Sequence, residues 1–237
     1  MIFFLPETYI LTLKLGEDER TGDALAEKLH EVLIKQDCED TVELIGSDTC
    51  NKNSGQHKGV HAKLEERLKR PLQRIMCLKH GIEIFWHRFF RLIDGEFSGP
   101  ITLKGKIGKL ICNNIFYTQN IVNFRVIKAR RSMPKLSAKI IRKMSNNQAY
   151  IYRIVQAVMS GSGYFLIDKQ LRSASPGKLH GARWITLANR ILRLYCSTSE
   201  PTDELIRLVE FLVNVYAPAW LSRTQASLMV RSASKDC

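Results

Sequence analysis

The sequence predicts an α/β region with parallel strands over residues 1–95, followed by a basic, mostly helical region over residues 96–237. Three observations predict it. Up to His80, short apolar runs alternate with amphipathic stretches, and the connections are short, which implies parallel strands joined by right-handed crossovers. The charge divides unevenly: residues 1–95 carry 14 Lys and Arg against 16 Asp and Glu, whereas residues 96–237 carry 22 against 7, within a chain of net charge +13. Beyond residue 96 the regular stretches repeat at helical spacing, with none alternating as a strand would.

Tyr9 to Leu15 (YILTLKL) is rich in β-forming residues and reads as the first strand. Thr21 is a suitable N-cap for a helix to about Gln36, with Ala24, Leu25, Leu29, Val32 and Leu33 as its apolar stripe. Val42 to Gly46 is a short apolar run that reads as a buried strand, and it leads to Asp48 and a small polar loop, Thr49 to Gly59. A helix follows from Val60 to Lys69, ended by Pro71, and Leu72 to Leu78 reads as another strand running into Cys77 and His80. Lys79 to Ile93 is a helix with Ile82, Phe85, Phe89 and Ile93 on one side, placed to cover a face of the sheet.

Asp94 to Lys109 is rich in glycine and reads as a loop leaving the sheet. Its Lys104, Lys106 and Lys109 do not make a phosphate loop, because the spacing departs from GxxxxGK[ST] and no Ser or Thr follows Lys109. Ser137 caps a short helix over Ala138 to Met144. Gln148 to Met159 forms an amphipathic helix ended by the Gly-Ser-Gly at 161–163. Trp184 to Tyr195 and Thr202 to Tyr216 are further helices, the second closed by Pro218, and the polar tail from Leu221 is expected to fray.

An acidic residue at the carboxyl end of a central strand is where open α/β sheets hold ligands and metals, which makes Asp48 the candidate catalytic and cation-binding residue. Cys77 and His80 are candidate zinc ligands with Cys50, His57 or His61, against the plainer reading of Cys77 as a buried apolar residue and His80 as a helix start. His87 reads as a half-buried structural residue. Residues 128–142 (KARRSMPKLSAKIIR) hold no acid, so Lys128, Arg130, Arg131, Lys135, Lys139 and Arg142 are candidate phosphate contacts or a nuclear import signal. Arg183 and Trp184, at a helix start, are candidate phosphate contacts too, with Trp184 alternatively a core anchor. The six cysteines are scattered without a CxxC pair and are read as reduced thiols of an intracellular protein, and no apolar run of the sequence spans a bilayer.

A strand ending in Gly46-x-Asp48, a small polar loop, a helix, and a strand running into Cys77-x-x-His80 resembles the central part of hAT-type DDE transposases, as does Arg183-Trp184 opening a helix. The stretches LEERLKRPLQRIMCLKH, FSGPI, PGKLHGARWITLANRILRLY and VEFLVNVYAPAW are similar to a set of transposon-derived proteins, over roughly Ile10 to Trp220. The resemblance implies a partial ribonuclease-H-like sheet with a helical insertion. It implies a site of three carboxylates holding two divalent metals, Mg²⁺ being the cation suited to such oxygen ligands. Asp48 matches the second of those positions only; the first and last have no counterpart. The resemblance therefore implies a fragment or degenerate copy: a nuclear, DNA-binding protein without autonomous transposase activity, not a membrane protein, with a homo-oligomer or partner protein as further possibilities. Two alternatives stand beside it. One is a helical interaction module docking on an acidic protein. The other is a metal-dependent nuclease, for which Asp40, Glu43 and Asp94 are the remaining carboxylates to join Asp48.

Overall fold

A computed structural model of the chain describes residues 21–97, 102–112, 121–130, 132–179 and 184–233. The fold is mixed α/β and mostly helical, with a two-stranded parallel sheet among the described residues. The strand expected at Tyr9 to Leu15 lies outside them. The chain divides into two compact units between Gly81 and Ile82, ahead of the composition change at residue 95.

In the first unit, α1 (Gly22–Lys35) starts where Thr21 Oγ1 accepts the Ala24 N–H at 3.2 Å. Its buried residues Ala26, Leu29 and Leu33 lie on one stripe, as the 3.6-residue period dictates. Strand β1 (Leu44–Ser47) follows, then the single turn α2 (Asn51–Ser54), then α3 (Val60–Leu68). Strand β2 (Gln73–Met76) pairs parallel with β1, Leu44 opposite Gln73 and Ser47 opposite Met76. The small core comprises Ala26, Leu29, Leu33, Val42, Ile45, Val60, Leu64 and Leu72. All four residues of β2 are exposed. Gly22 stands in close quarters: a Cβ there would overlap the carbonyl of Lys58, so only glycine lets α1 approach the loop before α3.

The second unit is helical. It holds α4 (Leu78–Asp94) from Ile82 onward, the first turn belonging to the first unit, then α5 (Lys106–Cys112), α6 (Ala138–Lys143), α7 (Asn146–Ser160), α8 (Ser162–Ile167), α9 (Lys169–Ser173), α10 (Trp184–Cys196), α11 (Asp203–Phe211) and α12 (Ala217–Ala233). The buried ridge of α4 is Trp86 and Phe90, one turn apart, while Phe85 is 63% exposed. Both residues belong to the helical core, which corrects the expectation that this helix covers the sheet. Helix α10 is buried along almost its whole length. Its Arg190 is satisfied by backbone, donating to the carbonyls of Gly177 (3.0 Å) and Ile111 (2.8 Å). Local capping follows the sequence: a Ser145/Gln148 capping box opens α7, Gly161 (φ +99°) closes it, and Thr202 Oγ1 accepts the Leu205 N–H at 3.3 Å.

Helix α11 does not stop before Pro218. It passes through a π-turn, Leu212–Tyr216, and continues as α12 to Ala233, with Trp220 and Leu221 buried. Proline lacks the N–H an α-turn needs, and its ring crowds the carbonyl four residues back. The wider turn immediately before it, in which the Ala217 N–H reaches back to the Leu212 carbonyl, accommodates the residue without ending the helix. The stretch Asp203–Ala226 of this helix is long and apolar enough to cross a bilayer by length and composition. Of its apolar window, 56% is buried within the protein, and the core helix of a soluble protein passes the same test.

Candidate nucleic-acid interface

Asp48 follows β1 and is exposed. One carboxylate oxygen, Oδ1, accepts the Cys50 N–H at 3.1 Å and Asn53 Nδ2 at 2.8 Å. Hydrogen bonds from Cys50 hold its pKa below the usual carboxylate value, so it remains an anion that closes its own loop. The candidate zinc ligands are not brought together. His80 Nε2 faces Thr49 Oγ1 at 2.9 Å, Cys77 is exposed where a buried residue was expected, and His61 points into the core. Among the described residues no three His, Cys, Asp or Glu side chains converge. The donor set around Asp48 among the described residues therefore does not fit a two-metal site. Asp94 is committed elsewhere: its two oxygens accept the N–H groups of Ile107 (2.8 Å) and Gly108 (2.7 Å).

His61 is buried, with Nε2 at 2.7 Å from Ser47 Oγ, whose hydroxyl donates to the Asp48 carbonyl at 2.8 Å. Its Nδ1 has no partner among the described residues. Burial, then the charge of Arg74, pushes its pKa below the ordinary 6.5. The folded state thus favours the neutral ring, and below pH 6.5 the unfolded chain binds more protons. The stabilisation is complete above that pH and is lost as pH falls through it. His87 is shifted in the same sense by burial and by Arg91 and Arg88. Ring-proton NMR titration should give both histidines apparent pKa values under 6.5; a value at or above it for His61 would contradict the packing.

The cations of the two units are treated differently. In the first unit, Lys63 pairs with Glu66 at 2.7 Å, Arg67 with Asp23 at 2.9 Å, and Arg74 with Glu65 at 2.5 Å. In the second, the sequence between Glu96 and Asp168 contains no acidic residue at all. Arg125, Lys128, Arg130, Lys135, Lys139 and Arg142 are all exposed, and none makes an ion pair among the described residues. The first three ride on an extended segment that is pinned rather than loose. Phe124 and Ile127 are buried beneath it. The Ile127 N–H donates to the Val158 carbonyl at 3.1 Å, Tyr195 donates its hydroxyl proton to the Arg125 carbonyl at 2.7 Å, and the Arg130 N–H donates to Asn214 Oδ1 at 2.6 Å. Lys139 and Arg142 lie one turn apart on α6, opposite the buried Ile140.

Beside the segment is an open groove of about 730 Å³, lined by residues of α4, of 125–130, of α11 and of the π-turn. It adds Arg125 and Arg207 to the basic residues the sequence singled out, and it adds the aromatic rings Phe89 and Phe211. The acid-free span was visible in the sequence and marks Arg125. Nothing local marks Arg207, which sits on a helix that opens with Asp203 and Glu204. Trp184 stands apart from the groove lining. It is half-buried, its ring 4.4 Å from that of His87 and 5.7 Å from that of Phe97, and its carbonyl accepts Trp86 Nε1–H at 3.3 Å. Arg131 and Arg183 lie outside the described residues. No protein family, curated protein or solved structure matches this chain.

Proposed function

We propose that this chain is a transposon-derived nucleic-acid-binding protein of the nucleus, whose helical unit meets the phosphate backbone and whose small parallel sheet is a ribonuclease-H-like remnant. The observation that carries the reading is that Arg125, Lys128, Arg130, Lys135, Lys139 and Arg142 are all exposed and make no ion pair among the described residues. Lys63, Arg67, Arg74, Arg91 and Arg153 pair with carboxylates, whereas the sequence holds no acidic residue between Glu96 and Asp168. A surface that keeps such charges unneutralised gains little for folding and much for attracting a polyanion. The reading assigns no strand transfer to the chain, since Asp48 lacks converging carboxylates.

Gel-shift and anisotropy measurements on the full chain test it. Phosphate contacts by Lys128, Arg130, Lys135, Lys139 and Arg142 should cost two to three powers of ten in affinity between about 50 and 200 mM salt, through counterion release. Changing Lys139 and Arg142 to Gln should weaken binding to every sequence alike and reduce the salt slope by about one unit per residue. Absence of binding at low salt, or binding indifferent to salt, would remove the proposal.

A further inference from the structure

We infer that the groove between α4, the 125–130 segment and the π-turn is a binding site for unpaired, single-stranded nucleic acid. The inference rests on the proposed nucleic-acid binding and names the form of ligand it takes at this place. Two sets of groups converge there. Arg125, Lys128, Arg130 and Arg207 supply cations from two different elements, so a strand lying in the groove has phosphate contacts on either side. Phe89 and Phe211 supply near-parallel rings, 4.2 Å apart at 19°, and Phe211 in turn stacks on Trp86 at 5.8 Å and 15°. The rings thus form a short stack seated on the core, and a base laid on it continues a ladder already built.

Charge and shape favour this occupant. Base stacking on aromatic rings combined with a cationic track is the physical basis of single-strand binding, and it tolerates any sequence because every base has a π-face. A paired duplex offers its phosphates but hides its base faces, and would leave the stack unused. The groove is open, with a volume of about 730 Å³, room for one or two nucleotides. The groove is also preorganised. Asn214, within the π-turn, fixes the Arg130 backbone through its side chain and donates to the Glu210 carbonyl at 2.9 Å. Such π-turns recur at functional sites. One carboxylate, Glu210, lies in the lining beside four cations.

The test is anisotropy of labelled oligothymidylate, a duplex of equal length and an abasic strand, each titrated with the full chain at one salt concentration. Oligothymidylate should bind about tenfold or more tighter than the abasic strand. Phe89→Leu, which keeps apolar volume and loses the ring, should lower affinity for oligothymidylate by about tenfold and leave the duplex unchanged. Should Phe89→Leu fail to fold by circular dichroism, Val215→Glu at the 47% exposed lip serves instead, and it should weaken oligothymidylate, which enters the groove, more than the duplex, which does not. Equal binding of all three ligands, unaltered by either variant, overturns the groove while leaving the polyanion surface standing. Binding of none overturns both. Binding of an acidic helical peptide that is lost in these variants, with no oligonucleotide binding, overturns both in favour of a protein partner.

Discussion

Trp86→Ala should destabilise the helical unit by about 3–5 kcal/mol, the largest single-residue effect we expect from truncation in this chain. Trp86 is fully buried and gathers rings from both ends of the unit: Phe90 at 5.9 Å, Phe211 at 5.8 Å and Tyr216 at 5.7 Å. It also donates its indole N–H to the Trp184 carbonyl at 3.3 Å. Alanine would leave a cavity walled by aromatic rings that cannot collapse into it, and would remove the hydrogen bond that ties α4 to the start of α10. Denaturant unfolding followed by far-UV circular dichroism measures the loss. A change under about 1 kcal/mol would mean the ring is not the keystone of this core. Because Phe211 leans on Trp86, the same substitution should also loosen the groove.

Gly105→Ala is the second. A Cβ at Gly105 would overlap the carbonyl of Asp94, and one at Gly108 would press on Leu103 and on the Asp94 carboxylate. The glycines allow the chain to pass against Asp94, whose oxygens then cap α5 from a residue far back in sequence. Relief requires the backbone itself to move, so Gly105→Ala should cost about 4 kcal/mol or more, in the range of the most damaging single changes. Asp94→Ala strips both caps and should cost about 2–3 kcal/mol, while Asp94→Asn keeps one acceptor and should cost about 1 kcal/mol. Urea midpoints should fall in that order. A Gly105→Ala protein as stable as the parent would show that the close approach does not exist.

The contrast between what was legible and what was not follows from range. Caps at Thr21, Ser137 and Thr202 depend on residues three positions apart, and those three helices begin where the sequence says, whereas α7 opens at Asn146 behind a Ser145/Gln148 capping box, two residues before the expected Gln148. The strands at Val42 and Leu72 and their parallel pairing were legible from alternation with helices. On α4 the expected Ile82, Phe89 and Ile93 do pack against the helical core, but Phe85 is exposed, and Trp86 and Phe90, outside that stripe, are the fully buried pair; only the partner helices decide this. The glycines at 105 and 108 read as loop residues because their reason, Asp94, is a tertiary contact. Pro218 read as a terminator because a π-turn leaves no signature in the sequence. The groove joins Phe89, Arg125, Arg207 and Asn214, which no window of the sequence brings together.

The π-turn has a further meaning for what this chain can tolerate. Each α-helical residue turns the axis by about 100°, so the extra residue held between Leu212 and Tyr216 sets the rotational phase of everything after it. Removing one residue there would restore regular winding and swing Trp220 and Leu221 from the interior toward water. The same loss would unhook Asn214 from the Arg130 backbone. The length of that stretch is therefore fixed to a single residue, and insertions or deletions should be accepted in the flanking loops long before they are accepted there.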